Sequence, residues 1–157
     1  MSKNLPDNVF RANVGAILVN NNGYVMVFER LKIKNAWQFP QGGLNENEEP
    51  LDAIYREILE ETGLTMETLT LISEFPEWLA YELDEKMRSS KHGRGQVQKW
   101  FLFEFKGNDN QIDIVNVEEQ EFSAWKWMKI SEVLEIVPSF RKSIYRKLAN
   151  YWKDFFN

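Results

Sequence analysis

Gln41-Gly42-Gly43-Leu44-Asn45-Glu46-Asn47-Glu48-Glu49-Pro50-Leu51-Asp52-Ala53-Ile54-Tyr55-Arg56-Glu57-Ile58-Leu59-Glu60-Glu61-Thr62-Gly63-Leu64 is the stretch on which the fold turns. Its second half is the clearest helix in the chain. Pro50 suits a first helical turn, and Leu51, Ile54, Tyr55 and Ile58 recur at helical spacing. Gly63 follows as a C-cap. With Glu57 set at 0° and about 100° per residue, the four apolar residues fall between roughly 60° and 160°. Glu57, Glu60 and Glu61 fall between about −60° and +40°, so the carboxylates gather at the rim of the core face. Two readings are open: a solvated acidic stripe, or carboxylates that share a divalent cation. The stripe has a weakness, because like charges at i,i+4 (Glu57 and Glu61) cost a few tenths of a kcal/mol. The helix C-terminus also disfavours anions. Arg56 can offset Glu60, but no lysine lies in the helix to pair with the others. Magnesium takes carboxylate oxygens at about 2.1 Å and keeps waters for exchange, which would resolve the repulsion. The preceding Gln41-Gly42-Gly43 reads as a loop whose paired glycines allow close backbone approach.

Outward from this stretch the pattern is a mosaic of strands and helices. Phe10 to Val19 reads as a strand entering the core, Asn20-Asn21-Asn22-Gly23 as a turn, and Tyr24 to Glu29 as the partner strand of a hairpin. Trp37-Gln38-Phe39-Pro40 is a short strand. Further strands are expected around Thr68–Phe75, Trp78–Leu83, Val97–Phe105 and Ser123–Met128, with a turn at Lys106-Gly107-Asn108-Asp109-Asn110. Helices are expected from Ser131 to Ile136 and from Pro138 or Ser139 towards Phe155. There is no repeat and no linker, so pattern alone gives one domain over residues 1–157, α+β or a compact α/β/α sandwich.

Composition removes several chemistries. There is no cysteine, hence no disulfide, thiolate zinc site or cysteine nucleophile. The single histidine, His92, lies in a polar, glycine-containing segment and is read as a solvated loop side chain. Without a second histidine the zinc-hydrolase patterns fail, and a Ser-His-Asp triad would rest wholly on His92. Carboxylate is abundant and suits hard cations. The net charge of −5 argues against a general nucleic-acid coat protein. No apolar run approaches the roughly 20 residues of a membrane span, and the first residues lack a secretion signal, so no membrane partner and a cytoplasmic location are expected.

The quoted stretch resembles the Nudix box, GX5EX7REUXEEXGU with U aliphatic. Here it reads Gly42, five residues, Glu48, seven residues, Arg56-Glu57-Ile58, Leu59, Glu60-Glu61, Thr62, Gly63-Leu64, with every fixed position filled. The resemblance implies the Nudix fold, an α/β/α sandwich with a mixed sheet, in which residues 42–64 form a catalytic loop–helix–loop. It implies Mg2+ as cofactor, with Mn2+ as a substitute, held by Glu57, Glu60 and Glu61 while Arg56 and Glu48 brace the loop on the helix.

A narrower resemblance covers nearly the whole chain. Arg11-Ala12-Asn13-Val14-Gly15, Trp37-Gln38-Phe39-Pro40-Gln41-Gly42-Gly43, Glu77-Trp78-Leu79, Gly95-Gln96-Val97-Gln98-Lys99-Trp100-Phe101, Glu121-Phe122-Ser123-Ala124-Trp125 and Ser139 to Arg146 look like the bacterial RNA pyrophosphohydrolases, relatives of the dinucleoside polyphosphate hydrolases. This implies a further metal contact from Glu121, stacking of Phe140 on the 5′ base, and phosphate or nucleotide contacts from Arg11, Arg30 and Arg141. From the residues alone Phe140 reads rather as a helix-start core residue. Lys99 belongs with Lys86, Arg88, Lys91 and Arg94 to a basic segment, and Arg141, Lys142, Arg146 and Lys147 form another. Such segments are either solvated flanks or a funnel for polyphosphate, and Lys99 is placed among the substrate contacts. The chain departs from the branch at Ala12, Ala36, the Glu29-Arg30 pair and the loop Glu85 to Arg94, which bears on substrate preference rather than on the cation site. The implied substrate is 5′-phosphorylated RNA, with diadenosine tetraphosphate second and mononucleotides third. A non-catalytic nucleotide or RNA-binding module is the alternative from another class. A monomer is expected, and any protein activator is not legible.

Overall fold

Ten consecutive residue pairs set the middle of the molecule. In this computed structural model, which describes residues 9–89 and 93–157, strand β1 (Phe10–Val19) runs parallel to β7 (Gly95–Phe105), from Phe10 opposite Gly95 to Val19 opposite Glu104. His92 and Lys91 lie outside the described residues. From Val14 to Val19 and from Trp100 to Phe103 the two strands are buried on both faces, which is why those stretches read as near-continuous apolar runs. Strands β2 (Val25–Arg30), β3 (Trp37–Gln38), β5 (Leu69–Glu74), β6 (Leu79–Glu82) and β8 (Phe122–Met128) complete the sheet by antiparallel pairing.

One residue of β1 serves one face and the next serves the other. Val14, Ala16 and Leu18 pack with Ala53, Ile54 and Ile58 of helix α1 (Pro50–Thr62). Ile17 and Val19 pack with Val133 of α2 (Ile130–Ile136) and with Ile144, Tyr145 and Leu148 of α3 (Ser139–Tyr151). The result is an open mixed sheet between helices, the expected α+β, α/β/α arrangement. Each such aliphatic side chain contributes about 1.5–3 kcal/mol when fully removed from water. Gly63 caps α1 as its sequence position implied, at φ 73°, with its N–H donating to the Leu59 carbonyl at 3.0 Å.

Two expectations need correction. Gln41-Gly42-Gly43 is not a loop but a short strand, β4, antiparallel to Asn13–Gly15. The exposed edge of β1 needs partners for its backbone groups, and Pro40 and Leu44 extend the pairing through Ala16 N–H to Pro40 O and Leu44 N–H to Ala12 O. The last helix stops at Tyr151, short of Phe155, and a single 3-10 turn covers Lys153–Phe155. Trp152 is buried there, its indole N–H donating to the Ser73 hydroxyl at 3.0 Å, so a tertiary contact ends the helix.

Candidate active site

Pairing of β4 with β1 carries Gly42 beneath α1, and the helix answers with Glu57. A Cβ on residue 42 would overlap the Glu57 carboxylate, so glycine is required at that position. The close approach the two glycines permit is thus first of all to a side chain of the protein itself. Arg56, the next residue, ties the segment together. Its Nε and Nη2 donate to the two Glu48 carboxylate oxygens at 2.8 and 2.9 Å, Nη2 also donates to the Gly43 carbonyl at 2.8 Å, and Nη1 reaches Glu57 at 2.8 Å and Glu60 at 3.2 Å. A forked guanidinium can hold that many acceptors and an ammonium cannot. The Arg56 hydrogen bond keeps Glu48 below the usual carboxylate range.

The helix wheel placed three carboxylates at one rim, and the structure grades them by depth. Glu60 is open to solvent, its side chain 53% exposed. Glu57 is largely enclosed, and burial raises its pKa against the opposing pull of Arg56. Glu61 is 5% exposed, and its Oε2 has no hydrogen-bond partner. Burial, then the neighbouring Glu57 and Glu121, push its pKa well up, partly offset by the backbone N–H of Gln41. A buried carboxylate oxygen without a donor is costly in isolation.

Glu61 opens onto two adjoining cavities. One, of about 480 Å³, is lined only by Glu57, Glu60, Glu61, Glu118, Glu119 and Glu121. The other, of about 430 Å³, shares Glu61 and Glu121 and continues to Arg30, Gln38, Gln41, Tyr81, Phe140 and Arg141. Among the described residues no three carboxylates already converge closely enough to cage an ion. An all-oxygen donor set around an orphaned buried carboxylate nevertheless fits a hard divalent cation, with side-chain rotation and water completing the shell.

A family profile described as the NUDIX domain matches residues 9–148. The chain belongs to the Nudix family. It is 40% identical to an RNA pyrophosphohydrolase of Bartonella henselae over 98% of this chain and 95% of that protein. It is 39% identical to one from Teredinibacter turnerae over 88% and 82%. Nudix hydrolase 26 of Arabidopsis thaliana, chloroplastic, is 36% identical over 92% of this chain and 70% of that protein. Among solved structures, a Caenorhabditis elegans Ap4A hydrolase in a binary complex superposes with a TM-score of 0.69 at 20% identity, covering 92% of this chain and 98% of that one. The Escherichia coli dihydroneopterin triphosphate pyrophosphohydrolase superposes with a TM-score of 0.70 at 20% identity, covering 89% and 97%.

Beyond the Nudix box the expected substrate residues divide. Arg30, Phe140 and Arg141 line the mixed cavity together, with the expected metal contact Glu121. Phe140 is not a core residue: it is 37% exposed and its ring lies 5.4 Å from that of Tyr81. Arg11 lies against Gly43, beside the box rather than in the cavity lining. Lys99 is drawn away from both cavities, buried with its Nζ 3.3 Å from Glu74. Within the basic segment around it, Arg88 and Arg94 share the single carboxylate of Glu82. Several lining residues escaped the sequence reading: Gln38, Gln41, Tyr81, Met87, Glu118 and Glu119. The run Val117-Glu118-Glu119-Gln120-Glu121 carried a signal for the last two, as a second acidic cluster facing the first.

Proposed function

We propose that this Nudix domain hydrolyses a phosphoanhydride at the 5′ end of triphosphorylated or diphosphorylated RNA, releasing pyrophosphate or phosphate and leaving a 5′ monophosphate. The observation that carries the reading is the pair of cavities joined at Glu61 and Glu121. One end is acidic and suits a cation-bound polyphosphate; the other offers an aromatic face and a guanidinium for a nucleotide. The names of relatives aligned over nearly the whole chain support the RNA end.

Glu57, Glu60, Glu61 and Glu121 would hold magnesium, or manganese in its place. When bound, the cation neutralises phosphate charge and lowers the pKa of water. Arg56 and Glu48 keep Gly43 and the helix in fixed relation, so the carboxylates meet the phosphates in one geometry. One of Glu57, Glu60 and Glu61 accepts the proton of the attacking water. The water oxygen bonds to phosphorus, the bridging P–O bond breaks, and the bond electrons leave with the departing phosphate group. Phe140 stacks on a base, an interaction worth about 1–3 kcal/mol, and Arg30 and Arg141 meet the nucleotide's anionic groups. Arg11, lying against Gly43, approaches the phosphates from the β4 side. The unit so described is a single domain acting as a monomer in the cytoplasm; among the described residues no helix is long and apolar enough to cross a membrane.

Dinucleoside polyphosphates offer the same base and phosphates to this cavity and are the second reading. Equal concentrations of a triphosphorylated short RNA and of diadenosine tetraphosphate, each with magnesium, rank the two. Faster release of pyrophosphate from the RNA is expected. Binding of either without any hydrolysis would instead favour a non-catalytic module.

A further inference from the structure

Arg141 is an unfavourable place for a formal charge. It is 7% exposed, and its acceptors are neutral. Nη1 donates to Gln41 Oε1 at 2.7 Å and Nη2 to Gln38 Oε1 at 3.4 Å, while its Cζ lies 4.9 Å from the Phe140 ring centre. The hydroxyl of buried Tyr145 is also hydrogen-bonded to it. Among the described residues Arg141 has no carboxylate within ion-pair distance, whereas Arg56 has three and Arg88 and Arg94 share one. Enclosing a guanidinium among neutral groups alone costs several kcal/mol unless something else meets its charge.

The Gln41 amide that holds it is oriented by a buried network. The Trp100 indole can only donate, and it donates to Gln98 Oε1 at 3.2 Å. That orients the Gln98 amide so that its Nε2 faces three oxygens, Asn13 Oδ1 at 3.0 Å, Gln96 Oε1 at 3.1 Å and Gln41 Oε1 at 3.2 Å. Gln41 presents its oxygen to this group and to Arg141, whose guanidinium can only donate. A buried chain from Trp100 through Gln98 and Gln41 thus sets the position of one guanidinium at the cavity wall.

We propose that Gln38 and Gln41 are positioning residues that hold Arg141 with neutral acceptors, so that its charge stays available to a phosphate of the bound nucleotide. The inference rests on the reading above that this cavity takes a phosphorylated nucleotide. A carboxylate at either position would hold the guanidinium at least as firmly while cancelling its charge.

The test is Gln38→Glu, since Gln38 lines the mixed cavity but not the acidic one. The probe is a 5′-monophosphorylated dinucleotide, titrated calorimetrically with magnesium present. Gln38→Glu is expected to weaken binding at least tenfold, by more than Gln38→Met, with a melting temperature equal to or above that of the unsubstituted protein. Arg141→Met is expected to cause a similar loss, and the double variant Gln38→Glu/Arg141→Met little more than either alone, because both remove the same charge. Unchanged affinity in Gln38→Glu would overturn the proposal, since a purely structural brace would be preserved. So would losses that multiply in the double variant, or an unsubstituted protein that does not bind the dinucleotide. Failure of the unsubstituted protein to hydrolyse triphosphorylated RNA is a separate result; it overturns the enzymatic reading and leaves this titration to be judged alone.

Discussion

Replacing Glu61 by glutamine should stabilise the metal-free protein while abolishing turnover. Glu61 is 5% exposed, one of its oxygens has no donor, and Glu57 and Glu121 oppose its charge. Glutamine keeps the shape, removes the charge and supplies an N–H2 that Glu57 can accept from. Relief of an unsatisfied buried acceptor contributes about 2 kcal/mol, which for a chain of this size is roughly 4–8 °C in melting temperature. The effect has a pH signature. Burial raises the folded-state pKa of Glu61 above its ordinary value of 4.5, so over that window the folded protein binds more protons than the unfolded chain. Metal-free stability from this group therefore falls as pH rises through the window, and the penalty is complete above the folded-state value. Glutamine has no proton to lose, so its advantage should be smallest at the acid end of the range and grow as pH rises. Magnesium should narrow or reverse the gap by stabilising only the protein with the carboxylate. Thermal melts of both proteins in chelator, across pH and then with magnesium, read all of this. If the Glu61→Gln variant melts below the unsubstituted protein in chelator at the alkaline end, the carboxylate is satisfied in some other way and the argument for a cation-poised site fails.

Other perturbations test neighbouring links. Glu57→Gln should reduce kcat with magnesium at least 100-fold with an unchanged circular dichroism spectrum, and near-full activity would remove Glu57 from the chemistry. Gly42→Ala places a methyl group where the Glu57 carboxylate lies, so it should lower both activity and magnesium affinity, the latter measured by calorimetry. Arg56→Lys should cost about 1–3 kcal/mol in urea denaturation, because one ammonium cannot serve Glu48, Gly43 and Glu57 together. Phe140→Ala should raise KM about 5- to 100-fold with less change in kcat, as expected for the loss of one stacked base, whereas Lys99→Met should leave KM alone.

What the sequence made legible is what periodicity and local chemistry control. The apolar stripe of Leu51, Ile54, Tyr55 and Ile58, the Pro50 start and the Gly63 stop delimit α1 without reference to anything else in the chain. Spacing also put the glutamates on one rim. It did not show that Glu61 is buried and Glu60 exposed, because depth depends on what packs opposite: here the β4 backbone on one side and the acidic run ending at Glu121 on the other. The misreading of Gln41-Gly42-Gly43 as a loop has the same origin, since its strand character comes from the free edge of β1 and not from its own propensity.

The basic residues show the limit most clearly. Lys99 and Arg141 look alike in sequence, each a cation beside an aromatic residue and each an expected substrate contact. Both are buried, but Lys99 faces the α1 side of the sheet, where Glu74 answers it, while Arg141 faces the opposite side among amides and aromatic rings. Which cation remains uncompensated depends on contacts 57 to 103 residues apart along the chain, such as Gln41 to Gln98 and Gln38 to Arg141. No local pattern encodes such pairs. In this family member half of the acidic cavity's lining is therefore written in one helix, whereas the mixed cavity exists only after the sheet has assembled. Substrate preference should accordingly change with substitutions in Gln38, Gln41 and Arg141 that leave the Nudix box untouched.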